Sequence, residues 1–162
     1  MVGHSLGGLT IPLVEAEHHV YLCAFVPPWG RATRDLFAEG ALQPGFPDDG
    51  ITFDERGRTV WVDEAYALRS MYGDCDRVVA LQAYARLRPQ ARGIYDGDYP
   101  LAQRPPGPAT SIVGSDDRAV SPEWSRRVAP ERLGVEVVEI ASGHSPMLSR
   151  PSDLANLLDE LV

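Results

Sequence analysis

Met1-Val2-Gly3-His4-Ser5-Leu6-Gly7-Gly8-Leu9 opens the chain and contains the pattern Gly-x-Ser-x-Gly, centred on Ser5. A serine hydroxyl is a weak nucleophile at its free pKa. A reactive one must stand on a turn sharp enough to offer its oxygen to a base while backbone N–H groups wait for a developing oxyanion. Gly3 and Gly7 carry no Cβ, so a strand and a following helix can approach closely around a serine held in strained backbone geometry. Ser5 is therefore a candidate nucleophile. By composition alone the pattern arises in roughly one chain of this length in ten to twenty, and its plain reading is a glycine-rich loop leading into a helix. Its weight comes from two segments much further along the chain.

Where this motif carries chemistry, the partners come in the order Ser, acid, His, the acid after a late strand and the His on a loop near the C-terminus. Both are present. The apolar run Thr110-Ser111-Ile112-Val113-Gly114 ends in Ser115-Asp116-Asp117-Arg118. A second run, Val135-Glu136-Val137-Val138-Glu139-Ile140, ends in Ala141-Ser142-Gly143-His144-Ser145-Pro146. With Gly-His-Ser-Leu-Gly-Gly at residues 3–8 and Tyr21-Leu22-Cys23-Ala24-Phe25-Val26-Pro27, these stretches resemble an α/β-hydrolase of the group that includes the plant-type methylesterases and hydroxynitrile lyases and their bacterial relatives. The resemblance extends to Ser115-Asp116-Asp117-Arg118-Ala119-Val120 and Gly143-His144-Ser145-Pro146-Met147-Leu148-Ser149, and so covers nearly the whole chain.

The resemblance implies an α/β fold: the C-terminal part of an α/β-hydrolase, its remaining parallel strands flanked by helices, with an inserted and largely helical cap. Residues 1–162 form a single domain truncated at the nucleophile elbow, with the cap over residues 28–103. A relative has five strands up to the elbow, whereas here only Met1 and Val2 precede it. The resemblance also implies two oxyanion donors, the backbone N–H of Leu6 and one from a loop after the third strand. The second loop is expected to be absent. Loss of one such donor costs on the order of 3 to 4 kcal/mol of transition-state stabilisation, ~10² to 10³ in rate.

A length of 162 residues with 44% hydrophobic content suits one domain with a real core. A formal net charge of −8 argues against nucleic acid or an anionic membrane as partner. All 15 basic residues are arginine. Without lysine, lysine-based chemistry is excluded, including the cap lysine that hydroxynitrile lyases of this group use. Cys23 and Cys75 form neither metal spacing nor a disulfide framework, and a reduced, cytoplasmic setting is the default expectation. No signal peptide or long apolar span is visible. No cofactor or metal is expected.

Taken in order, residues 6–16 read as a helix that tolerates Pro12 only in its first turns or at a kink. Residues 20–26 form a continuous apolar run, the pattern of a parallel strand buried on both faces and lying beside the nucleophile's strand. The missing neighbour leaves an exposed strand edge, through which two copies of the chain are expected to associate. In the cap, residues 31–39 read as a short helix stopped by Gly40, residues 43–50 as a loop, and residues 51–53 and 58–62 as a hairpin. Residues 64–72 and 76–87 carry helical spacing. Phe46, Phe53, Trp61, Tyr66, Tyr72 and Tyr84 are candidate pocket linings, though packing between cap helices is the commoner use of each.

Residues 91–108 return to the sheet, Ser121-Pro122 opens a helix through residue 128, and residues 135–140 form an edge strand. Residues 151–162 make an amphipathic closing helix, with Leu154, Leu157, Leu158 and Leu161 on one side.

His144 comes after a glycine on a loop and precedes a proline turn, so it can reach the serine, and an imidazole titrates where one group can take and return a proton. Asp116 and Asp117 are adjacent, and only one can face the imidazole. The family's acidic-Asp-Arg pattern assigns that place to Asp117 and leaves Asp116 solvated. His4, His18 and His19 read as structural. The expected function is hydrolysis of a small carboxylic ester by Ser5, His144 and Asp117 through an acyl-enzyme. The alternative is a catalytically impaired fragment that serves as a binding module.

Overall fold

The computed structural model describes residues 1–46 and 50–161. Residues 47–49, within the loop expected over residues 43–50, and residue 162, the end of the closing helix, lie outside the described residues.

Strand β1 (Val2–His4) runs straight into the Ser5 turn. The helix expected over residues 6–16 is instead two short 3-10 turns, Ser5–Leu9 and Ile11–Leu13, parted at Thr10. Pro12 falls within the first two positions of the second turn, where the missing N–H would have had no partner anyway. Strand β2 (His19–Leu22) is shorter than the buried run that announced it. Cys23, at φ +45°, turns the chain out of the sheet, and residues 24–26 stay buried without being strand.

The segment between β2 and the return to the sheet is built from short pieces. Helix α1 (Asp35–Ala38) is one turn rather than the nine residues expected, because Ala32 and Thr33 are drawn into backbone contacts with Asp98 and Gly97. Gly40, at φ +81°, ends it. Strands β3 (Ile51–Phe53) and β4 (Thr59–Trp61) form the expected hairpin around Gly57. Helices α2 (Glu64–Met71) and α3 (Arg77–Tyr84) come next, with Asp63 and Asp76 accepting the first free N–H groups of each.

The chain then re-enters the sheet as β5 (Ala109–Gly114). Helix α4 (Pro122–Val128) starts as its sequence dictates, Ser121 Oγ accepting the Trp124 N–H at 3.2 Å. A π-helical turn, Ala129–Leu133, prolongs it to Gly134 at φ +71°. Strand β6 (Val137–Ile140), the short helix α5 (Pro146–Ser149) and the closing helix α6 (Pro151–Asp159) complete the order.

All four long-range strands are parallel, in the order β1-β2-β5-β6. The register sets His4 against Leu22, Leu22 against Ile112, and Gly114 against Ile140. The carboxyl ends of the strands therefore finish at one edge, and the loops that carry Ser5, Asp117 and His144 all leave from that edge.

Alternation along β2 explains the two cores. Val20 and Leu22 pack with Cys23, Ile112, Ile140 and Leu154 of α6 on one face; Tyr21 packs with Leu9, Phe25, Trp124 and Val128 on the other. Each fully buried side chain of this size is worth about 1.5 to 3 kcal/mol. Leu157 and Leu158 of α6 pack beside Leu154, with Leu161 in the turn beyond the helix, which ends at Asp159 short of the expected residue 162; the expected apolar stripe is the one that meets the sheet. No described helix is long and apolar enough to cross a membrane.

Candidate active site

Ser5 adopts φ +53°, a left-handed conformation that costs a non-glycine residue about 1 to 3 kcal/mol and persists only where its surroundings impose it. Those surroundings are glycine and backbone. A Cβ on Gly3 would stand 2.7 Å from the Gly7 carbonyl oxygen and from Ile11 Cγ2. A Cβ on Gly8 would stand 2.0 Å from the carbonyl oxygen of Phe25, whose own N–H donates to the Ser5 carbonyl at 3.1 Å. Gly7, expected to be a point of close approach, has nothing within 4 Å of its Cβ position. The elbow rests on Gly3 and Gly8 instead, because the 3-10 turn points Gly8 at the segment leaving β2.

Among the described residues two non-glycine ones share positive φ, and both stand at the end of a parallel strand: Ser5 after β1 and Cys23 after β2. Burial separates them. Cys23 is 2% exposed, and desolvation, with the charge of Asp117 second, pushes its thiol up to about 12, so it stays protonated and unreactive near neutrality. Ser5 is only half-buried and lines a pocket of about 440 Å³.

His144 lines the same pocket. Its Nδ1 lies 2.9 Å and 3.1 Å from the two carboxylate oxygens of Asp117, both residues being almost wholly buried. Opposite a carboxylate, Nδ1 carries the proton, which leaves Nε2 with a lone pair. That nitrogen is buried and has no hydrogen-bond partner among the described residues, Ser5 included. Asp117 Oδ1 also accepts the N–H groups of Ala119 at 2.8 Å and Val120 at 3.0 Å, which hold the carboxylate toward the ring. Asp116 points outward and is exposed.

The three sequence-derived residues thus gather at one edge of the sheet: Asp117 and His144 in direct contact, Ser5 on the same pocket wall. Leu6, in the first turn after the elbow, lines the same pocket.

Of the aromatic candidates, Phe46, Phe53 and Trp61 line the pocket, and Tyr66, Tyr72 and Tyr84 do not. Tyr66 stacks behind Phe46 and Trp61, its hydroxyl donating to the Gly45 carbonyl at 2.7 Å. Phe25, Phe37 and Tyr95 also line it, and among the described residues Arg88 and Arg92 bring positive charge to its wall.

His4, which the sequence reads as structural, and Asp74, which the sequence reading passes over, both hold the His144 loop. His4 Nε2 donates to the His144 carbonyl at 2.7 Å, and the two rings lie 4.7 Å apart. Burial, then the neighbouring His144, lowers the His4 pKa from 6.5 to about 4, so His4 is a neutral donor. Asp74 Oδ2 accepts the Gly143 N–H at 2.8 Å. The one local signal for Asp74 is that Asp76 already caps α3 and leaves the second carboxylate without a task.

The sequence profile described as "Alpha/beta hydrolase family" matches residues 1–157. Among solved structures, a mutant polyneuridine aldehyde esterase superposes with a TM-score of 0.78 at 16% identity, over 99% of this chain and 70% of that one. Tomato methylketone synthase I gives 0.77 at 21% identity, over 99% and 68%. A pyrethroid hydrolase from Sphingobium faniae JZ-2 gives 0.71 at 20% identity, over 99% and 68%. At such identities the likeness concerns the fold. No curated protein matches the chain.

Proposed function

The chain belongs to the alpha/beta hydrolase family, and from that premise we propose that it cleaves a small carboxylic ester through an acyl-enzyme, with Ser5 as nucleophile, His144 as base and acid, and Asp117 as its orienting carboxylate. One observation above all supports the reading. A buried imidazole has its Nδ1 against a carboxylate and its Nε2 unpartnered, in the same pocket as a serine at positive φ. Two of the similar folds bear the names hydrolase and esterase, in keeping with ester chemistry.

In the first half-reaction the Ser5 oxygen bonds to the ester carbonyl carbon as its proton passes to His144 Nε2. Negative charge gathers on the carbonyl oxygen, where the Leu6 N–H is the donor. Collapse breaks the bond to the alcohol oxygen, which leaves with the proton from His144. In the second half a water gives its proton to His144 and its oxygen to the acyl carbon. The acid departs, and Ser5 recovers its proton. Asp117 keeps the imidazole in one tautomer and stabilises its cation throughout without being protonated itself.

Six aromatic side chains and a volume of about 440 Å³ suit an acyl or alcohol group of modest size and apolar character. The test uses the 162-residue chain. We expect a fluorophosphonate probe to label Ser5 and p-nitrophenyl acetate to be hydrolysed, and both to vanish in Ser5→Ala. A chain that binds apolar esters yet leaves the probe untouched would instead be a binding module.

A further inference from the structure

The loop that carries His144 is gripped from two directions. On one side Asp74 Oδ2 accepts the Gly143 N–H at 2.8 Å; on the other His4 donates to the His144 carbonyl at 2.7 Å. His4 belongs to the elbow itself. Asp74 comes from the junction between α2 and α3, 69 residues away in sequence. Its carboxylate serves no helix, since Asp76 accepts the Val78 and Val79 N–H groups. The fit to Gly143 is close: a Cβ there would stand 2.6 Å from Asp74 Oδ1.

The same junction touches the pocket. Met71, the last residue of α2, lines it together with Ser5 and His144. A ligand pressed against Met71 therefore bears on the segment that holds Gly143. Gly143 is buried and Asp74 exposed, so movement of the junction would withdraw the acceptor and leave the N–H behind.

We propose that Asp74 is a positioning residue: by holding the Gly143 N–H it aims the His144 ring at Ser5 and makes that aim depend on how the α2–α3 junction is seated. The proposal rests on Ser5, His144 and Asp117 acting together as nucleophile, base and orienting acid. A misplacement of about 1 Å in a reacting group costs about a hundredfold in rate. The Asp74 contact is accessible to water, so we expect a loss of about ten- to thirtyfold.

The experiment compares the full chain with Asp74→Ala, Asp74→Asn and Gly143→Ala. Asp74→Ala should slow fluorophosphonate labelling of Ser5, and kcat for p-nitrophenyl acetate, by about ten- to thirtyfold with KM changed less than about threefold. Asp74→Asn keeps an acceptor oxygen and should return to within about threefold of the parent rate. Gly143→Ala displaces the carboxylate and should add little to Asp74→Ala in the double variant. Parent-like labelling in Asp74→Ala would overturn the proposal, and so would an Asn variant as slow as the Ala one.

Amide exchange at Gly143 separates this from failure of the hydrolase reading. If the parent chain does not label, faster exchange in Asp74→Ala alone retains the clamp while the serine assignment falls. Equal exchange in the parent, Asp74→Ala and Asp74→Asn overturns the clamp.

Discussion

The strand-end region, residues 1–27 and 109–145, and the segment between, residues 28–108, are built by different rules. At the strand ends, polar groups are buried and matched: the Asp117 carboxylate takes two N–H groups and an imidazole, and backbone fills the space beside Gly3 and Gly8. The intervening segment has short helices and a two-stranded hairpin, and exposes Phe53, Val62 and Val78 at 54%, 57% and 62%, a little more than Leu13 at 51% and Met1 at 48% in the other region. Its hairpin carries an ion pair open to water, Arg58 with Asp54, which adds little to stability, while Glu39 pairs with the largely hidden Arg132 of the other region. One region thus holds the candidate catalytic side chains, and the other supplies most of the pocket wall. Asp74 is one of several places where they are fastened together, beside Gln43, whose side chain donates to the Asp117 carbonyl, and Tyr99, whose hydroxyl donates to the Leu9 carbonyl.

The largest effect should come from the rigid side. Asp117→Asn leaves the side-chain shape intact but offers the wrong partner to Nδ1, and should lower kcat for p-nitrophenyl acetate about 10⁴-fold with little change in far-UV circular dichroism. A loss under tenfold would mean that the buried contact is structural only.

Next in size, Gly8→Ala forces a methyl against the Phe25 carbonyl and should cost about 3 kcal/mol or more in urea unfolding, while Gly7→Ala, with open space, should change stability by less than about 1 kcal/mol. Equal effects at the two positions would break the picture of an elbow resting on Gly8.

His4 gives a comparable effect that depends on pH. Its pKa is 6.5 in the unfolded chain and about 4 when folded. Between those values the unfolded chain binds the extra proton. The stability associated with neutral His4 is therefore complete above 6.5, falls as pH drops toward about 4, and loses no more below it. The difference amounts to about 3 kcal/mol. His4→Gln keeps a donor for the His144 carbonyl without titrating, and should flatten the stability curve over this range. A slope unchanged by the substitution would assign acid sensitivity to other groups.

The smallest effect on stability belongs to the pocket wall. Phe53→Ala should shift the unfolding midpoint by under about 0.5 kcal/mol, since the ring is 54% exposed, yet raise KM for an aromatic ester several-fold more than for an acetate. An equal change for both esters would remove Phe53 from specificity.

The strand-end region was also the more legible in sequence. Gly-x-Ser-x-Gly, the two adjacent aspartates after one apolar run and the Gly-His after another are local patterns, each at a strand-to-loop boundary that chain chemistry marks by itself. Ser121-Pro122 announced α4 for the same reason. Errors arose where a tertiary contact overrode the local pattern. Residues 20–26 read as one strand because they form a continuous apolar run, but Cys23 turns away to lay Phe25 on the elbow. Residues 31–39 read as a helix, but Ala32 and Thr33 are claimed by residues 97–98.

By itself the sequence determined which chemical groups stand at the strand ends and in what order, because turn residues and apolar runs act over a few positions. The folded structure decided how those groups are held: which glycine meets backbone, that Cys23 is sealed off while Ser5 is open, and that His4 and Asp74 grip the His144 loop across 140 and 69 residues. Contacts at such separations depend on where parallel strands place their ends, and no local pattern of residues records that.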